Sequence, residues 1–161
     1  MDKPKFVYAI HIRTTPEKLW QALIEPEFTQ VYWGGVTLKS DWKIGSPVQS
    51  FDSEGTPADT GVLLEFDPPK TLSYSWSVAW HPEFKKEHPS RVTFSITPGI
   101  PKGVVLLTVT HEDFEAGSKV YEAVSHGWPA ILSGLKSLLE TGEQLDSSRF
   151  SIKQYLAQSA K

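Results

Sequence analysis

A long amphipathic stretch near the C-terminal end constrains the fold of this chain more than any other feature. Its apolar side chains recur three and four residues apart, so they share one face of a helix. These residues are Trp128, Ile131, Leu132, Leu135, Leu138 and Leu139. Val120, Tyr121 and Val124 extend the face upstream, and Gly142 is a suitable helix stop. The pattern predicts one long helix over about residues 116–141.

A proline interrupts this predicted helix. Pro129 follows Trp128 directly and has no N–H, so the carbonyl of Ser125 loses its helical partner. Gly127 loosens the same turn. Two interpretations stay open: a single bent helix, or a separate helix that begins at Pro129 with its cap within 125–127. In either case the helix axis changes direction beside Trp128.

Residues 36–113 have the alternation of strands and no convincing helical pattern. The clearest strand is about 70–80, where large apolar residues alternate with small ones in "TLSYSWSVAW". We predict strands at about 36–41, 46–52, 60–67, 70–80, 90–97 and 103–112, after a first strand over 6–13. The links between them are short and rich in Gly, Pro and Asp, which favours an antiparallel meander.

Two short helices are predicted between the first and second strands. In "TTPEKLWQALIEP" a threonine caps the start of the first helix, and Pro16 suits its first position. Pro26 ends this helix and begins a second one that reaches about Tyr32. The result is an α+β fold: about seven antiparallel strands in a curved sheet, with one face covered by the long C-terminal helix. Because a curled sheet and a straight helix cannot touch everywhere, a gap between them is expected.

Composition narrows the class of protein. The 161 residues suit one domain over 1–161, in which 143–161 is an extension of uncertain structure with a candidate helix bearing Phe150, Ile152 and Leu156. There is no cysteine, which excludes disulfides and thiolate nucleophiles. The net charge of −3, with both signs interspersed, argues against nucleic acid. With neither a signal peptide nor a membrane span in the sequence, a cytoplasmic protein is predicted.

Aromatic residues provide the candidate binding site. The chain has 6 Trp, 8 Phe and 5 Tyr, and strand parity turns several of them toward the expected gap. The candidate ligand-binding residues are Tyr8, Trp33, Tyr74, Trp76, Phe94, Val109, His111, Trp128 and Leu132. The same set also describes an ordinary core, so both interpretations stay open. Trp33 either covers the cavity mouth or packs at a loop base.

No catalytic residue, metal site or cofactor is predicted. The five histidines lack metal-ligand spacing, and Ser125 in "AVSHG" falls inside a helix, where a nucleophile elbow cannot form. His111 is the main candidate for acid–base chemistry, because imidazole titrates near neutral pH; Tyr8, Tyr74 and a carboxylate from "HEDFE" are the other inward-facing titratable groups considered. The neighbouring Glu112 points to the opposite face of the strand, which favours a structural role for His111.

Four motifs resemble one protein family. They are "TTPEKLWQALIEPEF", "GVLLEFDPPKTLSYSW", "VLLTVTHEDF" and "HGWPAILSGLKSLLETG", which together span about residues 5–142 in the family's order. The sequence is similar to the activator of heat-shock-protein-90 ATPase homologue-like proteins, within the START-like (SRPBCC) superfamily. The resemblance implies a helix-grip fold with an internal cavity, which in relatives binds lipids, sterols, polyketides or flavonoid-like aromatics.

Three functions are compatible with the sequence. The favoured one is binding of a small hydrophobic molecule, lipid-like or planar and aromatic, between the sheet and the C-terminal helix, without catalysis. The first alternative is an acid–base enzyme such as a polyketide cyclase or hydratase that uses His111. The second is an interaction module, in which the partner is a chaperone ATPase or a second copy in a homodimer.

Overall fold

The computed structural model describes residues 3–145, which form seven strands and four helices. The elements are β1 (Phe6–Ile12), α1 (Pro16–Ile24), α2 (Pro26–Tyr32), β2 (Thr37–Ser40), β3 (Pro47–Phe51), β4 (Pro57–Asp67), β5 (Thr71–Val78), α3 (Pro82–Lys85), β6 (Ser90–Pro98), β7 (Val105–Glu112) and α4 (Lys119–Thr141). The predicted α+β helix-grip architecture is confirmed. The candidate helix within 143–161 lies outside the described residues.

One short helix is a correction to the sequence analysis, which found no helix within residues 36–113. α3 has only four residues, beginning with Pro82, and Phe84 is its buried side chain. A helix this short has no repeating apolar stripe, so periodicity cannot reveal it. It lies in the connection between β5 and β6, which sequence analysis treated as a loop.

All seven strands belong to one antiparallel sheet. The strand order is β1-β7-β6-β5-β4-β3-β2, so the first strand pairs with the last and the remaining strands follow in sequence. Tyr8 lies opposite Val109, which in turn lies opposite Phe94. This register places the alternating apolar residues of neighbouring strands on the same inner face.

Local chemistry explains the start of each long helix. Thr15 caps α1 by accepting a hydrogen bond from the Lys18 amide at 3.2 Å, and Pro16 occupies the first turn. In α4 the cap is Ser118, whose Oγ accepts from the Tyr121 amide at 3.0 Å. The helix therefore begins three residues later than predicted, at Lys119, because Ser118 provides the stronger cap.

α4 is a single helix with Pro129 inside it, so the interpretation of a separate helix starting at Pro129 is wrong. Within the helix, Ser125 donates its hydroxyl to the Tyr121 carbonyl at 2.6 Å. Gly142 ends the helix in the left-handed conformation, with φ of 79°, as predicted for a helix stop. The buried side chains of α4 belong to the same core as the inner face of the sheet.

Candidate functional site

Three tryptophans meet at the centre of the protein. Trp33 comes from the end of α2, Trp76 from β5 and Trp128 from α4. The ring centroids are 6.0 Å apart for Trp33–Trp76, 5.4 Å for Trp33–Trp128 and 5.7 Å for Trp76–Trp128. Rings at these separations are in contact, so helix and sheet touch through them. The gap expected between α4 and the sheet is therefore largely filled by aromatic side chains.

Six of the nine candidate ligand-binding residues belong to this ring cluster. Tyr74 stacks on Trp76 at 6.3 Å, Phe94 contacts Trp128 at 5.6 Å, and His111 lies 5.4 Å from Trp76. The cluster is thus Trp33, Tyr74, Trp76, Phe94, His111 and Trp128. Val109 and Leu132 are buried beside it in the same core. Tyr8 is only partly buried and stacks on Phe6 at 6.2 Å.

His111 is completely buried and both of its ring nitrogens have protein partners. The Trp128 indole donates to Nδ1 at 3.1 Å, and Nε2 lies 2.8 Å from Ser90 Oγ. Because an indole N–H can only donate, Nδ1 must accept, and the ring proton is therefore on Nε2. Burial lowers the pKa of His111 from 6.5 to about 3, so the ring is neutral near pH 7. A ligand would have to break one of these bonds to use it.

Two other polar atoms in the cluster are buried without a partner. Among the described residues, neither Tyr74 Oη nor Trp76 Nε1 makes a hydrogen bond. Both residues line a cavity of about 10 Å³. That volume accommodates the centre of about one water molecule. Burial raises the pKa of Tyr74 well above its usual value, and Tyr32 and Asp59 add to the shift, so its hydroxyl keeps its proton.

Strands β2 to β5 provide all but one of the walls of this cavity. The remaining wall is Trp33. The described residues that line it are Trp33, Leu38, Val48, Ser50, Asp59, Thr60, Tyr74, Ser75 and Trp76. Asp59 is held in place by Ser50, whose Oγ accepts from the Asp59 amide at 2.9 Å and lies 3.1 Å from its carboxylate.

The segment that carries Trp33 has the conformation of a tight turn. Gly34 and Gly35 follow it with φ of 58° and 84°, a region that glycine adopts without strain. A Cβ on Gly35 would lie 2.7 Å from Cβ of Ser53 in the turn between β3 and β4. Residues 33–35, called the lid here, are thus seated closely against the rest of the protein.

A family model described as "Activator of Hsp90 ATPase homolog 1-like protein" matches residues 13–140. The chain belongs to this family. The match covers the two short N-terminal helices, the whole sheet from β2 to β7, and nearly all of α4. It therefore includes every member of the ring cluster and both partners of His111.

Solved structures of other proteins have the same fold. Protein MLL2253 from Mesorhizobium loti is 30% identical, with 84% of this chain and 96% of that chain covered and a TM-score of 0.70. The Aha1 dimer from Colwellia psychrerythraea is 18% identical, with coverage of 87% and 98% and a TM-score of 0.68. PFC0360w, an HSP90 activator from Plasmodium falciparum, is 19% identical, with coverage of 84% and 95% and a TM-score of 0.68. No curated protein sequence matches the chain.

Asp59 and Ser50 line the cavity but were not among the candidate residues predicted from the sequence. Sequence analysis began the fourth strand at residue 60, whereas β4 begins at Pro57. Asp59 has the same parity as Leu63, which is fully buried, and so extending the strand would have turned Asp59 inward. The turn-forming composition of "DSEGTPAD" concealed this signal.

A wider groove of about 770 Å³ lies elsewhere, between the start of α1 and the turns that join β4 to β5 and β6 to β7. None of the nine candidate residues lines it. Within residues 3–145, no three His, Asp or Glu side chains are grouped as a metal site. The helices in that same part of the chain are all too short or too polar to cross a membrane.

Proposed function

We propose that this protein binds a small, planar, largely apolar molecule between β5 and the lid, next to α4. The observation that carries the proposal is a pair of buried polar atoms, Tyr74 Oη and Trp76 Nε1, that lack a protein partner among the described residues and belong to residues lining one cavity. Each buried group left without a hydrogen bond costs about 1–3 kcal/mol. A ligand that bonds to them would recover that cost, which distinguishes the site from an ordinary apolar core.

Binding requires the lid to move, since the cavity holds only about 10 Å³. Among the described residues that line the cavity, Trp33 is the one that no strand carries, and the two glycines after it permit backbone rotation. If the Trp33 ring swings outward, a ligand ring takes its place between Trp76 and Trp128. The proposed contacts are therefore Tyr74, Trp76, Phe94 and Trp128, with Val109 and Leu132 behind them.

The apolar contacts are sufficient for useful affinity. Burying ~200 Å² of apolar ligand surface contributes about 5 kcal/mol before the entropy cost of association. The free energy needed to open the lid reduces this further, so we expect micromolar or weaker binding for a plain hydrocarbon. Additional affinity has to come from the two polar atoms.

The proposal is binding without catalysis. The polar groups beside the proposed ligand are a neutral phenol, an indole and a carboxylate already close to Ser50. His111, the main acid–base candidate from the sequence, is neutral, and both of its ring nitrogens are hydrogen-bonded. The proposal is contradicted if the protein converts a bound carbonyl compound at a rate that follows the protonation of His111.

Titration with naphthalene, followed by NMR of the indole N–H groups, tests the proposal. Assignment uses single Trp→Phe variants. We expect the resonances of Trp33, Trp76 and Trp128 to shift together, and that of Trp42 to shift least, because the ring contact of Trp42 is with Phe66. The matched pair Trp33→Ala and Trp42→Ala tests the lid: only the first should accelerate ligand release. If no indole of the ring cluster responds at saturation, the interior does not bind ligands.

A further inference from the structure

We infer that the ligand of this site is a neutral carbonyl compound whose oxygen accepts hydrogen bonds from both Tyr74 Oη and Trp76 Nε1. This inference rests on the proposed binding function and names the chemical class of the ligand. It is carried by four features of the cavity: the kind of polar atoms left without partners, their common position, the size of the space and its charge.

The first feature is that both unpartnered groups can donate. An indole N–H has no acceptor capacity, so Trp76 Nε1 requires an acceptor on the ligand. Burial keeps the Tyr74 phenol protonated, so its hydroxyl is also available to donate. A ligand that presents a donor at this position would leave Trp76 Nε1 unsatisfied, at a cost of about 1–3 kcal/mol.

The second feature is that the two residues that carry the donors line one space. Tyr74 and Trp76 are two residues apart on β5, so their side chains leave the same face of the strand. Their rings are stacked, with centroids 6.3 Å apart and planes 13° from parallel. Both line the same cavity. A carbonyl oxygen has two lone pairs and can therefore accept from both groups at once.

The third feature is size. The cavity of about 10 Å³ has room for a single oxygen-sized group in the closed state. A carbonyl oxygen fits there while the planar carbon skeleton replaces Trp33. A bulkier polar group, such as a sulfonate or phosphate, would need the strands themselves to separate.

The fourth feature is charge. No lysine or arginine is among the described residues that line the cavity, whereas Asp59 is. An anionic acceptor would therefore be buried without a counter-ion and next to a carboxylate, which is strongly unfavourable. This selects ketones, quinones and amides over carboxylates among ligands that can accept hydrogen bonds.

Three bicyclic probes of nearly equal shape test the inference: indane, indanone and indanol. We expect indanone to bind about tenfold more tightly than indane, because it satisfies two buried donors. Indanol tests the alternative to a carbonyl, because its hydroxyl can accept from both donors and also donate to the Asp59 carboxylate, which lines the same cavity. The indole N–H resonance of Trp76 should move downfield with indanone and not with indane, which reports the hydrogen bond directly.

Conservative variants assign the preference to the two donors. Tyr74→Phe and Trp76→Phe each should reduce the preference for indanone over indane by several-fold. The smaller ring in Trp76→Phe also weakens the binding of indane, so the ratio of the two affinities is the quantity compared. Tyr32→Phe is the matched control, because this buried hydroxyl already donates to the Ala22 carbonyl at 2.7 Å and does not line the cavity. It should leave the preference intact.

The outcomes separate this inference from the proposed function. If indane and indanone bind equally, or indanol binds most tightly, the carbonyl assignment is overturned while hydrophobic binding stands. If the preference survives in both donor variants, the oxygen lies elsewhere and the assignment also fails. If none of the three probes binds the wild-type protein, the proposed function and this inference fail together.

Discussion

The indole nitrogen of Trp128 donates a hydrogen bond to Nδ1 of His111, with 3.1 Å between the two atoms. Trp128 lies on α4 and His111 on β7, so this bond joins the long helix to the strand next to the β1 edge of the sheet. His111 continues the connection through Nε2, which lies 2.8 Å from Ser90 Oγ, and Ser90 donates to the Trp76 carbonyl at 3.3 Å. The neutral imidazole thus links three elements in the interior.

The protein should lose stability as the pH falls through the range in which only unfolded His111 binds a proton. Burial lowers the pKa of His111 from 6.5 to about 3. Above pH 6.5 the ring is neutral in both states and adds no pH dependence. Below it the unfolded state binds more protons, so we expect the free energy of unfolding to fall by about 2 kcal/mol between about pH 7 and pH 5. Urea unfolding at several pH values measures this.

The variant His111→Gln separates this effect from other titrating groups. It removes the titration and keeps a polar side chain, so its stability should depend less on pH over that window even though it is lower overall. Equal slopes for the variant and the wild type would show that His111 binds its proton over the same pH range in the folded protein as in the unfolded chain.

Tyr74→Phe should leave the ligand-free protein as stable as the wild type or more stable by about 1 kcal/mol. The change removes a buried hydroxyl that has no partner among the described residues, so no hydrogen bond is lost. Tyr32→Phe is the matched control and should cost about 1 kcal/mol, because it deletes a bond of 2.7 Å to the Ala22 carbonyl. Thermal unfolding of both variants decides the point. A loss at position 74 as large as that at position 32 would mean that the Tyr74 hydroxyl has a partner in solution.

The sequence predicted most of the fold because its signals are local. Strand β5 was evident from strict alternation, and α4 from its apolar stripe, its stop at Gly142 and the absence of competing patterns. α3 was missed because four residues cannot show a helical repeat. These outcomes follow from how many residues each element has in which to display its period.

The sequence predicted which residues belong to the site but not how their side chains are arranged in space. Parity identified Tyr74, Trp76 and Phe94 as inward-facing, and the helical stripe identified Trp128. Whether their rings would enclose a space or pack on one another depends on sheet curvature and on the lid, which are set by contacts between distant residues. For the same reason the sequence could not reveal that the partners of His111 are Ser90 and Trp128.

Glu87→Gln should destabilise the protein by about 1–2 kcal/mol by removing a cap from α4. The Glu87 carboxylate accepts from Ser118 Oγ at 2.6 Å and from the Lys119 amide at 2.7 Å. A glutamine at this position keeps the shape but loses one acceptor oxygen and the charge that favours a helix N-terminus. Urea unfolding gives the change in free energy directly.

Glu83→Gln is the control for that substitution, since Glu83 is nearby but exposed. Its contacts are ion pairs with Lys86 at 3.4 Å and Lys119 at 3.9 Å. Surface pairs of this kind contribute less than about 1 kcal/mol, so the control should be close to neutral. If both substitutions lower the free energy of unfolding by the same amount, the loss comes from removing charge near α4 and not from removing the hydrogen bonds that cap the helix.

Gly35→Ala should loosen the lid that covers the proposed binding site. The substitution combines an unfavourable φ of +84° with a Cβ placed 2.7 Å from Cβ of Ser53. Because the backbone on both sides is involved, the contact cannot be relieved by rotating a long side chain. We expect the lid to separate from the turn between β3 and β4 and the Trp33 indole N–H to exchange with solvent about tenfold faster. A tenfold change corresponds to a decrease of about 1.4 kcal/mol in the free energy of opening the lid.

Gly55→Ala provides the matched control, since Gly55 has nearly the same φ, +82°, and no atom within 4 Å of the added Cβ. It should share the backbone strain, about 1 kcal/mol or more, without moving the lid. Hydrogen exchange of the Trp33 indole, measured by NMR in both variants, isolates the contact with Ser53. Equal exchange rates in Gly35→Ala and Gly55→Ala would mean that Ser53 does not hold the lid closed, and access to the ring cluster would then require another route.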